Sequence, residues 1–320
     1  MRPASRAAVS IAAASIDWAE GNEGHLMEAA PTLILDGKAT ALAVRADVTR
    51  VTAELAQKGI VPGLSVVIVG EDPASQVYVR NKEKAAEKAG FRAETVRLPA
   101  DTSQATLEAE VDRLVADDAV HGILVQLPLP KGLDESAVLN RLAPHKDVDG
   151  LTAANVAALS MGQPGLRPCT PAGCIELLDR YDISLEGSEV VIVGRSQLVG
   201  KPLAQLCLER NATVTICHSR TKDLAAHCLR ADVVVAAVGV AKLVQRDWIR
   251  PGAVVLDVGI NRGEDGKLVG DVDFGPVSEI AGAITPVPGG IGPMTIAMLL
   301  ANTLRAAASA HGLDPAGILA

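Results

Sequence analysis

"VVIVGRSQLVGKPLAQL", residues 190–206, reads as a buried strand, a tight turn and a helix. Gly194 permits the sharp turn after the strand, and Gly200 allows the helix to pack closely against it. The spacing is not GxGxxG, since Gly194 and Gly200 stand six apart with Arg195 and Ser196 between them. The physical requirement is still met, because the start of the helix directs free N–H groups and a positive dipole at a phosphate. Many strand–helix units carry a glycine turn for steric reasons alone, so this stretch by itself proposes a nucleotide site without establishing one.

The next strand, "ATVTIC" (212–217), bears on which nucleotide. A site that prefers NAD places an acid at the end of this strand for the ribose 2′-hydroxyl. Here the strand ends in His218, Ser219, Arg220 and Thr221, with no carboxylate. Ser219 with Arg195 or Arg220 suits a 2′-phosphate, so NADP is expected over NAD; a solvated loop is the alternative for these polar residues.

The same alternation extends in both directions. Apolar runs at 64–70, 92–98, 121–127, 189–194, 212–217, 231–239 and 253–259 alternate with amphipathic stretches such as 38–58, 76–89, 103–116, 171–181 and 201–210. Near-continuous apolar strands joined by helices predict α/β architecture with parallel sheets covered on both faces. At 320 residues the chain is long enough for two domains. The expected break lies in 145–173, where Pro and Gly interrupt the pattern. A last helix at about 293–310 follows a Pro/Gly loop and could pack on either domain.

Composition narrows the class. Hydrophobic residues make up 48% and aromatics only 2%, so the cores are aliphatic. A net charge of −8 without any Lys/Arg-rich run gives no footprint for nucleic acid. No continuous apolar stretch reaches the roughly 18 residues of a membrane span. The five cysteines (Cys169, Cys174, Cys207, Cys217, Cys228) form no CxxC and lie partly in apolar runs, which reads as reduced thiols in a cytoplasmic compartment. No metal-binding cluster is visible. Residues 1–30 read as a disordered extension, with a transit or signal segment or an over-long start as alternatives; Met27 would be a plausible start.

Four stretches carry residues able to do chemistry. In "SQVYVRNKEKA" (75–85), Tyr78, one of only two tyrosines, stands four before Lys82 and so shares its helical face. In "VQLPLP" (125–130), Val125, Gln126 and Leu127 end an apolar run ahead of prolines, and "KDVDG" (146–150) puts Asp149 in a loop before Gly150. "TPVPGGIGPMT" (285–295) packs three glycines and three prolines ahead of a helix. Singly, each has a structural alternative: a packing tyrosine, a solvated lysine, a loop-capping glutamine, an Asp-Gly turn and a rigid connector.

Taken with "RPCTPAG", "GRSQLVGKP", "DVGIN" and "GDVDF", these stretches closely resemble, in order and spacing from about Leu33 to about Arg305, the bifunctional methylenetetrahydrofolate dehydrogenase/cyclohydrolase family. The resemblance implies an N-terminal α/β catalytic domain (31–150), completed by the C-terminal helix (293–320), and a Rossmann-like NADP-binding domain (151–292). It implies that Lys82 is the catalytic lysine, that Tyr78 packs on the pterin, that Gln126 is the hydrogen-bond partner of the lysine and that Asp149 binds the amino edge of the pterin. Pro288, Gly289, Gly290, Ile291 and Gly292, with Val125 and Leu127, would line the substrate side, and Gly194, Arg195, Ser196, Ser219 and Ile260 the NADP side. A homodimer is expected on the same ground.

The chemistry fits these residue types. Hydride loss from the methylene bridge leaves a delocalised cation, which an aromatic face stabilises. Hydrolysis then needs proton transfer that a partly neutral lysine can supply, and a neutral glutamine orients the amine without an opposing charge. The expected reactions are NADP-dependent oxidation of 5,10-methylenetetrahydrofolate and hydrolysis of the 5,10-methenyl product to 10-formyltetrahydrofolate. A silent folate or nucleotide sensor and an NAD-linked dehydrogenase without hydrolysis are the alternatives.

Overall fold

Seven parallel-pairing runs predicted from apolar content become strands within one to three residues of their expected bounds, in a computed structural model that describes residues 31–319. The reading of residues 1–30 lies outside the described residues. The chain opens with β1 (Leu33–Ile34) and α1 (Gly37–Ala56), then β2 (Gly63–Val69), α2 (Pro73–Lys88), β3 (Arg92–Leu98), α3 (Gln104–Ala116), β4 (Gly122–Val125) and α4 (Glu135–Leu139). Strand β2 is buried along its whole length and pairs in parallel with β3 on one side and β4 on the other. Asp36, Asp72, Ser103 and Asp134 cap α1 to α4 by accepting a backbone N–H of the first turn.

Helices α5 (Ala153–Ser160) and α6 (Cys169–Arg180) occupy the segment expected to divide the domains. The second unit continues through β5 (Glu189–Val193), α7 (Gly200–Glu209), β6 (Thr213–Cys217), α8 (Leu224–Leu229), β7 (Val233–Ala236), β8 (Val254–Asp257), the β9–β10 hairpin (Asn261–Arg262, Leu268–Val269), α9 (Phe274–Ser278) and β11 (Ala283–Ile284). Its six-stranded sheet has the order β1-β11-β8-β7-β5-β6, every neighbour parallel. The opening strand β1, expected with the first domain, therefore lies at the edge of the second sheet. Two residues are too short for an apolar run to declare which sheet they join, and Leu35 just after β1 is buried in that sheet's core.

The last helix, α10 (Ile291–Ala310), settles its own placement by burial. Met294, Ala297, Met298, Leu300, Ala301 and Leu304 join one core with Val44 and Val48 of α1, Leu64 and Val66 of β2 and Ala86 of α2. Helix α10 has the length and, at a mean hydropathy of 1.2, the composition of a membrane span, yet 72% of that window is buried inside the protein. Alanines supply much of this hydropathy, which is why no strongly apolar run stands out in the sequence. Asn302, 1% exposed, ties the helix to the loop before α5 and to the segment before α6 by donating to the carbonyls of Val148 and Arg167, both at 2.8 Å.

Because all strands of the three-stranded and the six-stranded sheet run the same way, the C-terminal ends in each share an edge, and the connections that follow them gather there. At such an edge open α/β sheets bind their ligands.

Candidate active site

Helix α2 sets the first half of the site. Pro73 and the Asp72 cap fix its start, Val79 is fully buried on its inner face, and Tyr78 and Lys82 stand one turn apart on the flank. Lys82 is only 8% exposed, and its Nζ donates to Gln126 Oε1 at 2.9 Å. Gln126 follows β4, and its backbone N–H donates to Val67 O, extending the strand ladder by one residue. Its Nε2 donates to Leu127 O at 2.7 Å, which turns the amide oxygen toward the lysine. The neutral partner expected from the sequence is thus in place.

Asp149 is the second member. Gly150 takes a positive φ of 67°, so the Asp-Gly pair does form a turn, and the same turn aims the carboxylate toward Lys82. The turn and site readings are therefore compatible. Burial raises the Asp149 pKa, opposed by the Lys82 charge; the buried Asp147 raises it further and the neighbouring Cys169 thiol lowers it. Burial lowers the Lys82 pKa, while Asp149 pulls it back up. The amine is not free of opposing charge, as Gln126 alone would suggest, because the fold adds a carboxylate from a loop distant in sequence.

Tyr78, 39% exposed, lies on the wall of a cavity of about 580 Å³ together with Ile260 and the loop Pro288, Gly289, Gly290, Ile291 and Gly292. The cavity thus joins α2 to the connections that follow β8 and β11. Buried Lys82 and the partly exposed Gln126 and Asp149 lie outside this lining and connect to it through α2, and Val125 is buried in β4. Leu127 precedes Pro128 across a cis peptide bond, as Val287 precedes Pro288.

The glycine turn sits elsewhere on the same edge. A Cβ on Gly200 would stand 2.1 Å from Gly194 O, and one on Gly194 would stand 2.2 Å from Ala237 O, so the turn closes only without side chains. Arg195 and Ser196 are exposed beside it, with Ser196 Oγ accepting Val199 N–H at 3.1 Å ahead of α7. Val193 pairs with Cys217, so Arg195 and Ser219 follow matched positions of adjacent strands, and both are exposed. A side-chain-free cradle at a helix start, flanked by a cation and a hydroxyl with no acid, fits NADP.

Four features escaped the sequence reading. Cys169 is buried against Asp149 and donates to Val148 O at 3.2 Å. Lys38, Arg45, Lys84 and Lys88 also line the cavity; the i,i+4 spacing of the last two was the available signal. Asn302 anchors the Asp149 loop from α10. Asp257 and Asp271, quoted only within motifs, are buried.

A dinucleotide-type parallel sheet that shares a cleft with a helix bearing a buried amine defines a two-domain α/β dehydrogenase. Family models sharpen this: the tetrahydrofolate dehydrogenase/cyclohydrolase catalytic domain matches residues 35–149, and the NAD(P)-binding domain of the same family matches residues 168–311. The chain is 56% identical over 282 residues to the bifunctional protein FolD of Cupriavidus taiwanensis, covering 88% of this chain and 100% of that one. Its identity to the FolD of Acidiphilium cryptum is 58%, over 86% and 98% of the two chains. Among solved structures, FolD of Campylobacter jejuni superposes with a TM-score of 0.86 at 46% identity, covering 87% and 99%. The Trypanosoma brucei enzyme, solved with NADP cofactor and inhibitor, gives 0.84 at 42% identity, covering 88% and 98%. The chain belongs to the tetrahydrofolate dehydrogenase/cyclohydrolase family. It is a bifunctional enzyme of folate one-carbon metabolism that oxidises 5,10-methylenetetrahydrofolate with NADP and hydrolyses 5,10-methenyltetrahydrofolate to 10-formyltetrahydrofolate.

The charges around Lys82 make a pH prediction. If the neutral amine is the working form, cyclohydrolase activity rises with pH through the lowered pKa of Lys82. Asp149→Asn removes the carboxylate that favours the charged amine, so the midpoint of the residual activity should move to lower pH. A pH–rate profile of both proteins checks this; an unmoved midpoint would show that the two groups do not communicate, and a raised one would contradict the sign of the interaction.

Proposed function

We propose that Lys82 is the proton-transfer residue of the hydrolytic step, and the observation that carries this is the 2.9 Å contact of its buried amine with a neutral amide. Burial favours the uncharged amine, which can take a proton from the water that adds to the methenyl carbon and return it to a ring nitrogen. Gln126 holds the amine by its amide oxygen. Asp149 accepts the planar amino and ring N–H donors of the pterin, and Tyr78 lays its ring beside the developing cation. Val125 and Leu127 frame Gln126, and Pro288, Gly289, Gly290, Ile291 and Gly292 form the facing wall. Lys38, Arg45, Lys84 and Lys88 give the cavity a positive rim suited to the glutamate carboxylates of a folate.

In this reading residues 31–150, apart from β1, and the C-terminal helix at 293–320 carry the folate side, and residues 151–292 carry NADP. The shared core of α1, β2, α2 and α10 supports that division. NADP, when bound, accepts the hydride from the methylene carbon. Gly194, Arg195, Ser196 and Ser219 hold its phosphates at the start of α7, and Ile260 closes the cavity wall nearest the second sheet. The five cysteines are unpaired and buried, in keeping with a reducing, cytoplasmic setting. A homodimer through the second sheet is supported by β6, an edge strand with Ile216 39% exposed.

Lys82→Met keeps the apolar stem and removes the amine. Cyclohydrolase activity should fall by about 100-fold or more, the scale of general acid–base catalysis, while NADP reduction in the dehydrogenase assay persists. Full hydrolysis by the folded variant refutes the role. Arg195→Ala and Ser219→Asp should each raise Kd for NADP far more than for NAD, since a charge-assisted phosphate contact contributes about 1.5–3 kcal/mol. An unchanged NADP/NAD ratio in both would place the 2′-phosphate elsewhere. Light scattering should give the mass of two chains, falling to one with Ile216→Lys; a monomeric wild type rules the dimer out.

A further inference from the structure

We propose that Asp271 is a positioning residue for hydride transfer, tying together the connections that follow β7 and β8 on the cofactor side of the cleft. Its carboxylate is wholly buried. One oxygen accepts the backbone N–H of Val238 at 2.6 Å and of Gly239 at 2.9 Å, and the other accepts Asn261 Nδ2 at 2.9 Å. Asn261 adjoins Ile260, which lines the cavity, and Val238 and Gly239 lie in the connection after β7 on the same sheet edge.

Asp271 is itself held by a second buried carboxylate. Asp257, at the end of β8, accepts the N–H groups of Gly259 at 3.0 Å, Asp271 at 2.9 Å and Val272 at 2.9 Å. No side chain fits between them: a Cβ on Gly270 would stand 1.8 Å from Asp257 Oδ2, and one on Gly259 would stand 2.2 Å from Asp271 Oδ1. The stretches "DVGIN" and "GDVDF" are therefore the two halves of one device. Two carboxylates in series satisfy backbone donors that an irregular connection otherwise leaves unpaired, at the place where the second sheet meets the cavity.

Every segment bound by this device is a connection or hairpin that follows β7 or β8, and none carries Tyr78, Lys82, Gln126 or Asp149. Its loss should fall on hydride transfer and spare hydrolysis. The inference rests on the placement of NADP against Ile260, so an Ile260→Ala control accompanies the test.

The experiment uses the full chain with three variants, Asp271→Ala, Asp271→Asn and Asn261→Ala. NADP affinity and dehydrogenase kinetics are measured, and hydrolysis of 5,10-methenyltetrahydrofolate is followed without NADP. Asp271→Ala orphans three donors and should raise the Kd and KM for NADP by about 10-fold or more and lower the dehydrogenase kcat, with hydrolysis within about twofold of wild type. Asp271→Asn should recover most of this, because its carbonyl oxygen still accepts both N–H groups and the Asn261 amide can turn to present oxygen. Asn261→Ala should show a smaller loss of the same kind, and it decides alone if Asp271→Ala fails to fold. Dehydrogenase values within twofold of wild type in the folded variants, or a parallel fall of both activities, overturn the proposal. Unchanged NADP affinity in Ile260→Ala alone refutes only the placement of the cofactor.

Discussion

A lysine amine withdrawn from water and held by a neutral amide is the constraint around which the site is organised. Transferring an ammonium from water to a poorly solvated position is costly, so a buried amine sheds its proton more readily than an exposed one. The contact of Lys82 with Gln126 gives the amine a hydrogen-bond acceptor without a full negative charge. Asp149 works in the opposite direction, and the balance between burial and that carboxylate sets how much of the amine is neutral. Asp149 is in turn subject to burial that raises its pKa and to the lysine charge that lowers it. Each charge shifts the pKa of the other, so a change at either end is felt at the other.

That coupling depends on a long-range closure of the chain. Lys82 lies on α2, Gln126 after β4 and Asp149 in the loop before α5, and the last of these is pinned from α10 by Asn302. Asn302 of helix α10 stands 154 residues beyond Val148, and the helix packs its methionines, leucines and alanines into the core formed by α1, α2 and β2. A buried amide that donates twice, to Val148 O and Arg167 O, also fixes the helix along its axis, because a slip would leave two carbonyls without partners. The family model for the NAD(P)-binding domain includes this helix, although its burial is with the first core. The helix thus contributes Ile291 to the core of the second sheet and the rest of its buried face to the first core, while its first turns line the cavity.

The second sheet contributes geometry by exclusion of side chains. Gly194 and Gly200 bring a strand end and a helix start so close that a methyl group on either would overlap a carbonyl oxygen. This closeness brings the start of α7, with its positive dipole end, up against the end of β5.

Much of this was legible in the sequence because it is local. The alternation of apolar runs with amphipathic stretches predicts α/β order, since a strand buried on both faces and a helix buried on one require different spacings of apolar residues. The turn at Gly194, the missing acid after β6 and the shared face of Tyr78 and Lys82 follow from spacing alone. The motif series identified the family, and with it the reactions. Tertiary structure decided what no spacing encodes. It placed β1 in the later sheet, brought Asp149 to the lysine and put cations of α1 and α2 around one cavity. It also joined two aspartates from separate motifs, the carboxylate of Asp257 accepting the backbone N–H of Asp271 and that of Asp271 accepting Asn261. Each of these is a contact between residues far apart along the chain, where burial and electrostatics depend on how elements pack and local sequence carries no record of the partner.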